Sequence, residues 1–213
     1  RSVTDINLKI SGKNAFSQID GYDGSLNQGI DFNRFFEWYR EREDTENESG
    51  MSEDALEQMK QVLGDHNTTW KALSDLNASS RDRQLTAVRT AIYTFIPEFS
   101  NLRVNRKPRL HMSVEKSGEK LDVAQLSQGE KSLMALIGDI ARRLAIMNPG
   151  LENPLEGDGI VLIDEVDMHL HPQWQRSLIG KLASTFPNCQ FVLTTHSPLV
   201  ISDSKSVLTY LIG

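Results

Sequence analysis

Apolar and polar positions change their period several times along the chain. In VTDINLKI, residues 3 to 10, Val3, Ile6, Leu8 and Ile10 sit between polar neighbours, which predicts a short strand. Residues 11 to 31 are rich in Gly, Ser, Asn and Asp and read as loop. From Asp31 the period becomes helical: Phe32, Phe35, Phe36 and Tyr39 fall on one face, a stripe suited to a core. The charge run REREDTENESG follows and reads as a solvated helix end and loop. A second helical stretch starts at Ser52 with Glu53 and Asp54 in its first turn. A third starts near Ser80, carries Leu85, Val88, Ile92 and Phe95 on one stripe, and stops at Pro97. Arg109 to Val123 then reads as a β-hairpin: Leu110, Met112 and Val114 alternate, Ser117-Gly118 turns, and Leu121 and Val123 return.

The second half has sharper punctuation. Ser127 and Glu130 form an S-x-x-E capping box at the head of a helix. Leu133, Leu136, Ile137, Ile140 and Leu144 make its apolar face, and Asn148-Pro149-Gly150 ends it. Ile160 to Ile163 is a strand apolar at every position, as expected of a strand buried on both faces. A helix over 172–185 opens with Pro172, and Phe191-Val192-Leu193 is a second apolar strand. Strand, helix, strand predicts a parallel pair with a crossover, hence an α/β fold. The expected organisation is a first lobe and loop over 1–30, a helical insertion over 31–100, and an α/β core over 101–213.

Composition changes this picture little. The chain has 213 residues, 38% hydrophobic and 24% charged, an ordinary globular balance. No apolar stretch approaches the roughly 20 residues needed to cross a bilayer, so no membrane role is expected. One cysteine, Cys189, excludes an internal disulfide and suits a reducing, cytoplasmic setting. A net charge of −6 argues against a surface coated with phosphate-binding groups. Locally, Arg103, Arg106, Lys107 and Arg109 could meet nucleic acid or merely flank the hairpin in solvent.

Chemistry gathers where the apolar runs end. Asp164 and Glu165 follow Ile163 directly, at the carboxyl end of a strand, where ligands collect in parallel sheets. Two adjacent acids there need compensation, which a magnesium ion on a nucleotide would supply. Asp164 then holds Mg²⁺ through water, and Glu165 orients or deprotonates the water that attacks the terminal phosphate. His196, just past the second strand, is placed to register that phosphate. The helix head offers an anion site: Ser127 a hydroxyl, Gln128 and Glu130 polar flanks, Gly129 an unobstructed backbone, Lys131 a charge. Asp167, His169 and His171 alternate, but they read as interface residues of an extended loop rather than as a metal site.

Taken together, LSQGEK, IVLIDE and TTHSP, about thirty residues apart, resemble the C-terminal half of an ABC-type ATPase. Leu126 to Glu130 resemble its signature motif, Ile160 to Glu165 its Walker B strand, Asp167 to Pro172 its D-loop and Thr194 to Ser197 its histidine switch. Gln128 and Glu130 depart from the transporter signature. DEVDMHLHPQWQ is instead similar to a bacterial branch of AAA-like ATPases: the overcoming-lysogenization-defect group and the Septu or retron-associated anti-phage defence groups. FNRFFEWYREREDTENE and NPLEGDGIVLIDEVDMHLHPQWQ look closest to the Septu or retron-associated group.

The resemblance implies a P-loop NTPase fold, ATP and Mg²⁺ as ligands, and a head-to-tail homodimer with the signature helix of one copy facing nucleotide on the other. It also implies that the P-loop half lies outside this sequence. The nearest match, Ile10 to Asn14, lacks the first glycine at Asn7 and the hydroxyl at Asn14. The 213 residues alone are therefore not expected to hydrolyse ATP. Seventeen residues follow His196, too few for a Toprim nuclease, and no H-N-H pattern is visible. Any cutting is thus expected of a separate protein, and the resemblance implies that this partner is an H-N-H nuclease, with retron RNA–DNA or phage DNA as further partners and the helical insertion as the docking surface. Two other readings compete: a DNA-repair ATPase similar to RecF and SMC proteins, which long coiled-coil arms would favour, and a non-hydrolysing structural subunit.

Overall fold

A computed structural model describes residues 32–49, 53–64, 68–73, 81–202 and 207–211. The strand expected at 3–10 and the Ile10 to Asn14 stretch lie outside the described residues. Helices α1 (Phe32–Ser49), α2 (Glu53–Leu63), α3 (Arg83–Phe95) and α4 (Gln128–Met147) precede or underlie the strands. The aromatic stripe of α1 is core: Phe32, Phe35, Phe36, Trp38 and Tyr39 are all buried, each contributing about 1.5–3 kcal/mol of apolar burial. Phe35 lies over Gly138 of α4, where a Cβ would come within 2.8 Å of the ring. Gly138 is thus a contact surface for the α1 aromatics.

The charge run corrects the sequence reading. Helix α1 continues through it to Ser49, and Glu43 is only 5% exposed. The reason is a distant partner. Arg89 of α3 reaches Glu46 at 2.7 Å and Glu43 at 3.2 Å, and its Nε donates to the Tyr39 hydroxyl at 2.8 Å. Burial alone would lower the Arg89 pKa, but Tyr39 and Glu46 hold it above its ordinary value. Burial likewise pushes the Glu43 carboxyl up, against the pull of the Val104 amide and Arg89.

A three-stranded antiparallel sheet follows: β1 (Phe99–Asn105), β2 (His111–Lys116) and β3 (Glu119–Asp122), in the order β1-β2-β3. The β2–β3 hairpin turns on Ser117 and Gly118, both at positive φ, 52° and 87°, as a two-residue hairpin with right-handed twist prefers. Strand β1 has no counterpart in the sequence reading. A register shift between Ser100 and Arg103 breaks its alternation, so that Phe99 and Leu102 both point inward. Side chains from the helices satisfy its free backbone. The Leu102 amide donates to the Tyr93 hydroxyl at 2.7 Å and its carbonyl accepts from Tyr39 at 2.6 Å. The Val104 amide donates to Glu43 at 2.8 Å. The edge of β1 is thereby closed to strand addition.

The second sheet is the predicted parallel pair, β4 (Gly159–Ile163) and β5 (Cys189–Leu193), joined by α5 (Pro172–Thr185) and followed by α6 (Pro198–Ser202). Val161, Ile163, Phe191 and Leu193 face the core, which is one continuous hydrophobic cluster. Burial on both faces is not observed: Ile160 is 70% and Leu162 74% exposed, and Val192 is exposed beside them. The inward side chains pack on the core, whereas Ile160, Leu162 and Val192 are left uncovered among the described residues. The basic cluster is also less free than its sequence suggests, since Arg106 pairs with Asp44 and Arg109 with Asp122. Among the described residues no helix is long and apolar enough to cross a membrane.

Candidate functional site

The carboxyl ends of β4 and β5 lie side by side, with Ile163 opposite Leu193. Each continues into a polar loop, so Asp164 and Glu165 stand beside Thr194, Thr195 and His196. The ladder extends past the strands: the Thr194 amide donates to Ile163 and the Val166 amide to the Thr194 carbonyl, both at 3.0 Å. Side chains lock the same junction. Thr194 donates its hydroxyl to Asp164 and accepts from the Glu165 amide at 2.8 Å. Thr195 donates to Asp167, whose carboxylate also accepts from the His196 amide at 3.2 Å.

Two features set Glu165 apart. Its φ is 51°, a left-handed conformation rare outside glycine that costs energy and persists only where surrounding structure enforces it. Its Oε1 lies 4.0 Å from the Nε2 of His196, and the two side chains are 44% and 87% exposed. An acid and an imidazole thus stand open to solvent on a rigid platform. Asp164 is exposed as well, and its second oxygen has no protein partner among the described residues. No group of three or more metal-ligating side chains is present among them. One carboxylate beside a hydroxyl fits magnesium bound mainly through water and substrate phosphate, not a closed protein cage.

The head of α4 carries the predicted capping box. The Ser127 hydroxyl donates to Glu130 Oε2 at 2.6 Å, the Ser127 amide donates to the same oxygen at 2.9 Å, and the Glu130 amide returns to Ser127 at 3.3 Å. Lys116, at the end of β2, pairs with Glu130 Oε1 at 2.7 Å. Burial pushes the Glu130 pKa up, but Lys116 and Ser127 outweigh it and hold the carboxyl below its ordinary value. Glu130 therefore faces inward and fixes Ser127, instead of lying open to a ligand. Lys131 points to the Ala124 carbonyl, 3.4 Å away, and the side-chain amide nitrogen of Gln128 is buried with no partner among the described residues.

Gly129 has a different neighbour from the one its sequence suggests. A Cβ there would stand 2.6 Å from the His169 carbonyl oxygen and 3.5 Å from the Trp174 ring. The space left by the missing side chain is filled by the loop after β4, so the α4 head and that loop are packed together. A cleft beside them is lined by Ser132, Leu133 and Leu136 of α4 and by Ile163, Asp164 and Glu165. The loop itself is turned, not extended: Met168 and Leu170 donate back to Glu165 and Asp167, and His169 has φ 64°. The alternation of Asp167, His169 and His171 therefore does not put their side chains on one side.

Residues 10–202 match the family described as "AAA domain, putative AbiEii toxin, Type IV TA system". The chain belongs to this family. Within this AAA-domain family it is similar to proteins of retron and Septu systems. It is 42% identical over 202 residues, 88% of this chain, to "Retron Vc95 probable ATPase" of Vibrio cholerae serotype O1 biovar El Tor, covering 38% of that protein. It is 41% identical over 223 residues, 90% of this chain, to "Retron Ec83 probable ATPase" of Escherichia coli, covering 41%. A shorter match, 43% over 74 residues, 35% of this chain, reaches 10% of "Septu protein PtuA" of Bacillus mycoides (strain KBAB4). The chain thus spans about two fifths of the length of the retron relatives it matches. The sequence reading named Thr194 and Thr195 only as part of a motif and gave no role to Lys116 or Gln175. Two threonines directly after an apolar strand were the available signal for the former. Lys116 meets Glu130 only through the fold.

Proposed function

We propose that the chain is the Walker B half of an ABC-type ATPase that binds ATP with Mg²⁺ between two head-to-tail copies and hydrolyses it. The supporting observation is the strained Glu165, at φ 51°, 4.0 Å from His196 at the mouth of two parallel strands. Glu165 accepts the proton of the attacking water, and its backbone, tied to Thr194, aims the carboxylate. Asp164 holds the hydrated magnesium, which neutralises phosphate charge when bound. His196 contacts the terminal phosphate. Ser127 and the amide-rich head of α4, held in place by Glu130, present an anion site to nucleotide carried by the other copy. The P-loop that cradles the phosphates belongs to a further part of the polypeptide, and the uncovered apolar face at Ile160, Leu162 and Val192 supports its packing there. In a cytoplasmic defence complex, closing and opening of the dimer would gate an associated H-N-H nuclease.

The test uses the full-length polypeptide with Mg²⁺ and ATP. Glu165→Gln is expected to lower kcat by about 100-fold or more while ATP is still bound, and to shift the protein to dimer on size-exclusion chromatography. Normal turnover in that variant would remove Glu165 as the base, and a full-length protein with no affinity for ATP would end the reading.

A further inference from the structure

Gln175 lies in the first turns of α5 and was given no role above, yet its amide joins the two loops that carry the candidate site. Its Nε2 donates to the Leu170 carbonyl at 3.0 Å and to the Asp167 carbonyl at 3.3 Å. Its Oε1 accepts from the Ser197 hydroxyl at 2.7 Å. The orientation of the amide is forced, because two carbonyl oxygens can only accept. The polarity of Ser197 follows: its hydroxyl donates to Gln175, and its oxygen accepts from the Leu199 amide at 3.3 Å at the start of α6. On the other side of the same junction, Asp167 takes Thr195 and the His196 amide. The turn after β4 and the loop after β5 are therefore pinned to one another at Asp167 and Gln175 as well as at Thr194.

We propose that Gln175 is a positioning residue that clamps the loop bearing Asp167 to the loop bearing His196, so that the two move as one unit. A displacement of His196 is passed through Ser197 and Gln175 to the Asp167–Leu170 backbone. From there it reaches the His169 carbonyl, which is packed on Gly129 at the head of α4. The clamp thus links the imidazole to the signature helix through bonds within one copy. The consequence for turnover rests on the ATPase reading above; the mechanical link does not.

Hydrogen exchange reads the link directly. In the full-length protein the Gln175→Glu change keeps size and removes both donated bonds. The Leu170 and His196 amides, bonded to the Asp167 carbonyl at 3.1 Å and its carboxylate at 3.2 Å, should then exchange about tenfold faster or more. The amides of β4 and β5 should not change. Ser197→Ala, milder in its effect on folding, should accelerate Leu170 in the same way to a smaller degree, and it carries the test if Gln175→Glu does not fold. With Mg²⁺ and ATP, Gln175→Glu should lose about tenfold in kcat with KM for ATP within about threefold. Unchanged exchange at His196, acceleration spread equally over β4 and β5, or faster exchange with an unaltered kcat would each overturn the proposal. Absence of turnover in the unsubstituted protein would instead count against the ATPase reading and leave the exchange result standing.

Discussion

Two polar networks in this chain are built from similar residues and do opposite things. Between α1, α3 and β1, Glu43, Glu46, Arg89, Tyr39 and Tyr93 are buried or half-buried and bonded to one another or to backbone. At the ends of β4 and β5, Asp164, Glu165 and His196 stand open to solvent, and Glu165 holds a strained backbone. The first network closes on itself and completes a fold that a bulged strand would otherwise leave unsatisfied. The second uses its hydroxyls and amides to hold acids that no lysine or arginine among the described residues pairs with. Charge alone therefore does not mark a site here; charge left unpaired on a rigid support does.

The largest expected effect breaks the first network. Arg89→Met leaves Glu43 buried without its paired guanidinium and should cost about 3–5 kcal/mol of stability. Urea unfolding followed by tryptophan fluorescence measures it. Equivalent loss of charge at the second network, by Glu165→Gln, should leave the urea midpoint almost unmoved, since the side chain is 44% exposed. A cost at Arg89 of less than about 1 kcal/mol would erase the contrast between the two regions.

What was legible in the sequence divides along the same line. The head of α4, the limits of α5 and the β2–β3 turn are set by local chemistry: a capping box, a proline at N1, a Ser-Gly pair at positive φ. The acids after β4 were legible because an apolar run that ends in two adjacent carboxylates sets both charges at the mouth of a strand, where they call for a counter-charge. Burial of Glu43 was not, because its partner is 46 residues away in α3. Strand β1 was hidden by the bulge that puts Phe99 and Leu102, three residues apart, on one side. The apolar run of β4 was read correctly as a strand but not as half-covered, since which element covers a face is not written in the strand itself.

A smaller effect tests how the head of α4 meets the loop after β4. Gly129→Ala would place a methyl group 2.6 Å from a backbone oxygen, which cannot rotate away. The loop must shift, at a cost of about 1–3 kcal/mol. Because His169 is already at φ 64°, the strain should appear in that loop, as faster exchange of the Met168 and Leu170 amides. A stability equal to that of the unsubstituted chain would mean that Gly129 is not a packing residue.

The smallest expected effect lies where the two kinds of network meet, at the Lys116–Glu130 pair beside Ser127. Glu130 is held below its ordinary pKa and Lys116 is held above its own by their mutual hydrogen bond. A depressed carboxyl stabilises the fold above its unfolded-state pKa, about 4.3, and that contribution is lost as pH falls through the lower folded value. A raised lysine contributes below its unfolded-state pKa, about 10.4, and loses its contribution as pH rises through the higher folded value. The pair therefore acts across the neutral range and fails at both ends. Lys116 is one-third exposed, so solvent screening limits the contribution to about 0.5–1 kcal/mol. Lys116→Met should lower the urea midpoint by that amount at pH 7 and by less at an acid pH below the lowered folded value of Glu130, where the carboxyl is neutral in both chains. An equal cost at the two pH values would show that the lysine stem, not its charge, supports Ser127, and would move the β2 hairpin from an electrostatic to a packing role at the α4 head.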